Sequence, residues 1–166
     1  MRYIRVREDL CVGCQICALT CSAANNGVYS LELSRIKVVS FVDKEVAVPI
    51  VCNQCGLCAE ACPSNAIILD ESRGVYRVDE ALCTECGVCT AVCPYGAIFL
   101  TQTKSAAQKC DLCGGEPACV TTCPTDALSV CVAIKPFSRE VSADDTRKYR
   151  ARLIAKTLYE DIDDVY

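Results

Sequence analysis

The sequence predicts an α+β protein: two cysteine-bearing halves made of short helices and small hairpins, followed by a C-terminal helix. Three observations predict it. Sixteen of the 17 cysteines fall into four groups, with gaps of two, three or five residues inside each group. Short β-branched runs flank polar turns between those groups. Beyond Pro136 the chain loses its cysteines, becomes charged, and carries an apolar stripe at helical spacing.

Composition restricts the chemistry before any element is placed. The chain has 166 residues, enough for one compact domain or two small ones. The hydrophobic fraction of 52% is inflated because it counts the cysteines. Histidine and tryptophan are absent, which removes the commonest general base and the usual zinc and haem ligand. Any chemistry runs through sulfur. This much cysteine in a short chain means either a disulfide framework in a secreted protein or metal ligands in a reduced compartment. The opening "MRYIRVREDL" has charges at Arg2, Arg5, Arg7, Glu8 and Asp9 and no apolar run ending at a small-residue cleavage site, so it does not read as a signal peptide. The longest uncharged stretch, Leu10 to Leu31, is full of Cys, Asn, Ser and Gly, which a bilayer would leave unsatisfied. The expectation is a cytoplasmic chain with no direct membrane insertion.

Taken in order, the first group is Cys11, Cys14, Cys17 and Cys21, followed by Ser22. Next come "LSRIKVVSFV" and "VAVPIV", flanking Asp43, Lys44 and Glu45, which read as a hairpin. The second group is "CNQCGLCAEACPSNAIIL" and the third is "CTECGVCTAVCPYGAIFL", 31 positions later. Between them "AIIL" and "VYRV", around Gly74, read as a shorter hairpin. The fourth group is Cys110, Cys113, Cys119 and Cys123, with "GGEPA" in its widest gap; "AIFL" before it and "ALSVCVAI" after it supply further strands.

The second and third groups both follow C-x2-C-x2-C-x3-C-P, the bacterial ferredoxin pattern for 4Fe-4S clusters. Two-residue gaps wrap three thiolates around one face of a cube while backbone N–H groups turn inward. The fourth cysteine, a helical turn further on, points away and ligates the partner cluster. Cys52, Cys55, Cys58 and Cys93 are thus expected to hold one cluster (C), and Cys83, Cys86, Cys89 and Cys62 its neighbour (D). Gly56 and Gly87 let the backbone come close to the clusters, and Pro63 and Pro94 redirect the chain. Zinc sites usually show paired C-x2-C doublets without a third cysteine at the same interval, so iron–sulfur is the reading. With few aliphatic residues between ligands, the clusters stand in for much of the core and the apoprotein is expected to fold poorly.

Cys131, in "LSVCVAI", is read as a small buried apolar residue on a strand rather than a redox sensor or an extra ligand, because no His or basic cluster adjoins it. In the C-terminal segment, Ser142 with Asp145 approximates a capping box, and Tyr149, Leu153, Ile154, Leu158 and Ile162 form the apolar stripe of a helix. Docking to a partner and packing on the halves both fit that stripe. Arg147, Lys148, Arg150, Arg152 and Lys156 read as its solvated face in a chain of net charge -4, so no nucleic-acid partner is expected.

"KCDLCGGEPACVTTCPTDAL", together with "CVGCQICALTC", resembles the four-cluster electron-transfer subunits of the dimethyl-sulfoxide-reductase type, over residues 10 to about 130. That family includes small iron–sulfur subunits serving formate dehydrogenases, hydrogenases, carbon monoxide dehydrogenase and tungsten aldehyde oxidoreductases. The resemblance implies that the outer groups pair as the inner ones do: Cys11, Cys14, Cys17 and Cys123 hold cluster A, and Cys110, Cys113, Cys119 and Cys21 hold cluster B. It divides the chain into an outer ferredoxin-like half (1–51 with 101–135), an inner half (52–100) and a helical extension (136–166). All sixteen ligands are present. Four closed cubanes leave iron no open coordination site, and no phosphate loop or dinucleotide fingerprint occurs, so the chain is not expected to be an enzyme. The expected function is single-electron transfer through four 4Fe-4S clusters between a large catalytic subunit, by resemblance a tungsten or molybdenum pterin enzyme, and an external donor or acceptor such as a ferredoxin or flavoprotein subunit. A freestanding polyferredoxin, or the small subunit of a hydrogenase, formate or carbon monoxide dehydrogenase, is the alternative.

Overall fold

In the computed structural model, residues 1–41 and 46–132 are described. The expected C-terminal helix, its partner or packing role, and the turn residues Asp43, Lys44 and Glu45 lie outside them. The chain runs β1 (Arg2–Val6), a 3-10 turn (Glu8–Leu10), α1 (Ile16–Asn26), β2 (Lys37–Phe41), β3 (Val46–Ile50), α2 (Leu57–Glu60), β4 (Ile67–Asp70) and β5 (Val75–Val78). It continues through α3 (Val88–Val92), β6 (Ile98–Phe99), β7 (Gln108–Lys109), a 3-10 turn (Leu112–Gly115), α4 (Ala118–Thr121) and β8 (Leu128–Val132). The result is a small α+β fold of short helices and antiparallel two-stranded sheets.

Both hairpins read from the sequence form, β2 with β3 and β4 with β5. Pro49 is tolerated in β3 because a two-stranded ribbon leaves each strand one unpaired edge. The β4–β5 turn is built by Asp70, whose carboxylate accepts hydrogen bonds from Ser72 Oγ (2.6 Å) and the Arg73 N–H (3.2 Å). Gly74 closes it at φ +65°, donating to the Asp70 carbonyl at 2.8 Å. The expected strands in "AIFL" and "ALSVCVAI" also form, but their partners are segments whose sequence gave no strand expectation. β6 pairs with β7, and β8 pairs with β1 in the register Arg2↔Val132 to Val6↔Leu128.

Helices of four or five residues have no stability of their own and depend on packing. α1 packs against α4, and α2 against α3. α1 is longer, at 11 residues, for a reason visible in the sequence. Where α2, α3 and α4 are followed by Cys-Pro, α1 continues through Cys21-Ser22 to a left-handed Gly27. Ser22 is fully buried, and its hydroxyl donates to the Val28 carbonyl at 2.7 Å.

The core is partly cysteine: Cys17, Cys21, Cys52, Cys58, Cys89, Cys93, Cys110 and Cys119 are buried beside Ile4, Ile36, Ile67, Val75, Ile98, Leu112 and Leu128. Among the described residues no helix is long and apolar enough to cross a membrane.

Candidate metal centre

All four cysteine loops share one backbone feature, and in the fourth Cys113 itself is also left-handed at φ 49°. The second cysteines, Cys14, Cys55, Cys86 and Cys113, each sit between two residues of positive φ: Gly13 and Gln15, Gln54 and Gly56, Glu85 and Gly87, Leu112 and Gly114. Left-handed residues spaced this way curl the loop and gather its N–H groups on the concave side, where they face anionic sulfur. A second left-handed residue follows the last cysteine of three groups by three positions, at Asn65, Gly96 and Asp126. There the chain folds back, and the N–H groups of Ala66 and Ala97 donate to Cys62 and Cys93 Sγ, both at 3.3 Å.

The folded chain gathers the sulfurs into four neighbourhoods. Burial, with smaller contributions from the nearby sulfurs of Cys14, Cys11 and Cys123, pushes the Cys17 thiol up to about 11 against a hydrogen bond from Ala18. Burial raises Cys119, helped by Cys110, Cys21, Cys113 and Cys17. It pushes Cys58 up to about 12; the Lys109 ammonium opposes this, and Cys52, Cys55 and Cys93 add to it. Cys89 is raised by burial and by Cys83, Cys86 and Cys62, with Thr90 opposing. Cys62 and Cys123 behave differently. Their small burial penalty is outweighed by hydrogen bonds, from Ser64 and Ala66 in one case and from Thr125 and Ala127 in the other, so both thiols are lowered.

Two of these neighbourhoods surround cavities. One is lined by Cys52, Cys55, Cys58 and Cys93, with Tyr76, Tyr95 and Lys109 on its wall. The other is lined by Cys62, Cys83, Cys86 and Cys89. A single zinc ion would need its sulfurs about 4 Å apart around Zn–S bonds of about 2.3 Å. Among the described residues no three Cys, Asp or Glu side chains are grouped to hold one ion. Thiols spaced around a cavity, with N–H groups turned toward sulfur, fit a polynuclear cluster. Ligation takes the thiolate form, so bound iron would remove the penalty that burial imposes on these sulfurs.

Exposure differs along the protein: Cys14 and Cys86 are exposed, and Cys110 is buried. Cys131 corrects an expectation. It lies on β8 opposite Tyr3, as a strand residue should, but it is only partly covered, because a two-stranded sheet shields one face alone. The loop glycines are required by backbone conformation as well as by room for a cluster. Gly56 and Gly87 are demanded by φ values of +86° and +78°, and a Cβ on Gly56 would stand 2.7 Å from Tyr76 Oη. Sequence reasoning missed Gln54, Tyr76 and Lys109, which meet beside the cavity of Cys52, Cys55, Cys58 and Cys93. Nothing in "NQC", "VYRV" or "QKC" marks them as neighbours.

Known families match along most of the described chain. A 4Fe-4S dicluster domain matches residues 51–97, a second 4Fe-4S dicluster domain 75–124, and a 4Fe-4S binding domain 8–24. The chain is 36% identical to the polyferredoxin-like subunit of aliphatic sulfonate oxidoreductase from Pyrococcus furiosus, covering 88% of this chain and 87% of that one. It is 36% identical to the B subunit of the polysulfide reductase of Wolinella succinogenes, over 74% of this chain and 71% of the relative. It is 33% identical to the thiosulfate reductase electron transfer subunit of Salmonella typhi, over 76% and 74%. The chain therefore belongs to the ferredoxin-like 4Fe-4S electron-transfer subunits of oxidoreductases, and it carries multiple 4Fe-4S clusters.

Proposed function

We propose that the chain holds four 4Fe-4S clusters and passes single electrons along them between a large catalytic oxidoreductase subunit and an external donor or acceptor, a ferredoxin or flavoprotein subunit. The ligand sets are Cys11, Cys14, Cys17 and Cys123 for A; Cys110, Cys113, Cys119 and Cys21 for B; Cys52, Cys55, Cys58 and Cys93 for C; and Cys83, Cys86, Cys89 and Cys62 for D. One observation carries this reading: three cysteines of one loop gather with the last cysteine of another, joined around Cys119 by Cys17 as well. The packing of α1 on α4 and of α2 on α3 supports the division into an outer half, 1–51 with 101–135, and an inner half, 52–100.

In this reading the clusters run in the order A, B, C, D. Cys17 is among the sulfurs that raise Cys119, and Cys52 among those that raise Cys110, which supports A beside B and B beside C. C and D exchange their fourth cysteines. When bound, each cluster supplies a one-electron centre, and the protein fixes the distance between centres and keeps the middle of the path dry. The ends are open. Cys14 is exposed beside Val12 and Ile16, and Cys86 beside Leu82 and Val88, so apolar surface for docking adjoins each terminal cluster. The catalytic partner, in this reading, is a tungsten or molybdenum pterin enzyme. Relatives named for aliphatic sulfonate, polysulfide and thiosulfate make sulfur compounds the first substrates to assay in the native complex.

Anaerobically purified protein should contain about sixteen iron and about sixteen acid-labile sulfide per chain, four of each per cluster. Two metal ions per chain would overturn the proposal. Cys62→Ser should perturb the cluster whose signal also responds to Cys86→Ser. A response shared instead with Cys55→Ser would overturn the crossed pairing.

A further inference from the structure

Lys109 is an ammonium group in the interior. It is 3% exposed, and Nζ donates to Gln54 Oε1 at 3.0 Å, to the Cys110 carbonyl at 2.8 Å and to the Tyr76 carbonyl. All three acceptors are neutral. Among the described residues no carboxylate forms an ion pair with it. A buried cation without a counter-charge carries a desolvation penalty of several kcal/mol unless an anion lies near. The surroundings indicate where that anion belongs. Lys109 lines the cavity formed by Cys52, Cys55, Cys58 and Cys93, and it directly precedes Cys110 in the chain.

Gln54 holds this arrangement together. It is fully buried and left-handed at φ 61°, inside the second cysteine loop. Its Nε2 donates to the Cys110 carbonyl at 2.9 Å, its Oε1 also accepts from the Tyr76 N–H at 3.0 Å, and its own N–H donates to Cys52 Sγ at 3.4 Å. Lys109 and Gln54 thus clamp the second cysteine loop to the fourth, at the junction between the sulfurs assigned to C and to B.

Resting on the ligand sets proposed above, we infer that Lys109 is a positioning residue for electron transfer: its fixed positive charge, held by Gln54 at the C–B junction, favours the reduced state of cluster C most and of cluster B next. Reduction adds one electron and no proton, and takes a cubane with four thiolates from a total charge of 2− to 3−. A cation in a low-dielectric interior stabilises the 3− state more than the 2− state. Clusters A and D, none of whose assigned ligands lines that cavity or adjoins Lys109 in the chain, are expected to be unmoved.

The test is an anaerobic titration of the full-length holoprotein with dithionite as electron donor, followed by electron paramagnetic resonance. Signals are assigned with Cys55→Ser for C, Cys113→Ser for B and Cys86→Ser for D. Lys109→Met removes the charge. Lys109→Gln removes it while keeping N–H donors for the neighbouring carbonyls, and serves if the methionine variant does not hold iron. Lys109→Arg keeps the charge. Both neutral variants should lower the equilibrium constant for one-electron reduction of the C signal about tenfold, which is about 59 mV, with the D signal unmoved. Lys109→Arg should stay within about threefold of the parent. An unmoved C signal in the neutral variants, or an arginine variant displaced as far as they are, would overturn the inference. Failure of the ligand sets reads out separately, because Cys55→Ser and Cys93→Ser would then perturb different signals.

Discussion

Gly56 carries two demands that the rest of its loop does not. Its φ of +86° costs a residue with a Cβ roughly 1–2 kcal/mol, and the added carbon would press on Tyr76 Oη at 2.7 Å. Gly87, its counterpart in the third loop, has φ +78°, but a Cβ there meets nothing nearer than 4.0 Å. Gly56→Ala should therefore lose iron to a chelator faster than Gly87→Ala, with the loss confined to the site of Cys52, Cys55 and Cys58. Iron content and visible absorption after a timed chelator challenge measure this, and equal losses in the two variants would contradict the role given to Tyr76. Lys109 presents the opposite case. Its importance comes from burial against Gln54, 55 residues away in sequence, and no local pattern announces burial of a lysine.

Elements were legible where a local rule governs them. Short helices were expected among the cysteine groups, and β-branched runs around polar turns predicted both hairpins; all of these form. What escaped was pairing at long range. "RYIRV" in β1 alternates over Ile4, Arg5 and Val6, but its partner among the described residues lies at their far end, and no turn signal connects them. "QK" in β7 is too short to carry any period. The cysteine groups were legible as ligand sources because their spacing is local, whereas the wall of Gln54, Tyr76 and Lys109 exists only after folding. The β1–β8 sheet buries Ile4, 3% exposed, near Leu128, while Val132 at its other end is 76% exposed. Ile4→Ala should cost about 2–5 kcal/mol, and Val132→Ala less than about 0.5 kcal/mol. Anaerobic thermal unfolding of the holoprotein, followed by circular dichroism, should show a clearly lower midpoint for the first variant alone. Matching midpoints would mean that this sheet does not hold the fold together.

At the scale of the whole molecule, charge is understated by composition. The net charge of -4 counts cysteines as neutral thiols, whereas each oxidised cubane with its thiolates contributes 2−, so four of them bring the protein to about -12. Oxidation of the reduced protein by a cationic cobalt complex should therefore slow as salt rises, while oxidation by an anionic one should quicken. The Debye length falls from about 30 Å at 0.01 M to about 8 Å at 0.15 M, which sets the range over which stopped-flow rates should change. Rates independent of salt for both reagents would remove electrostatic steering as a factor in docking.

The β1–β8 pairing also imposes an order on synthesis. Among the described residues, 2–6 leave the ribosome early, and their partners, residues 128–132, leave last. Until then β1 lacks β8, and under the proposed ligand sets Cys11, Cys14 and Cys17 wait for Cys123. The inner groups need only the chain through Cys93 and can accept iron while translation continues, provided their crossed pairing stands. Domains generally fold as units as they emerge, so the protein is expected to be metallated from its middle outward. Nascent chains stalled with residues through 105 exposed should already carry iron in the inner sites, and chains that stay iron-free until residue 132 emerges would show that the two halves load together.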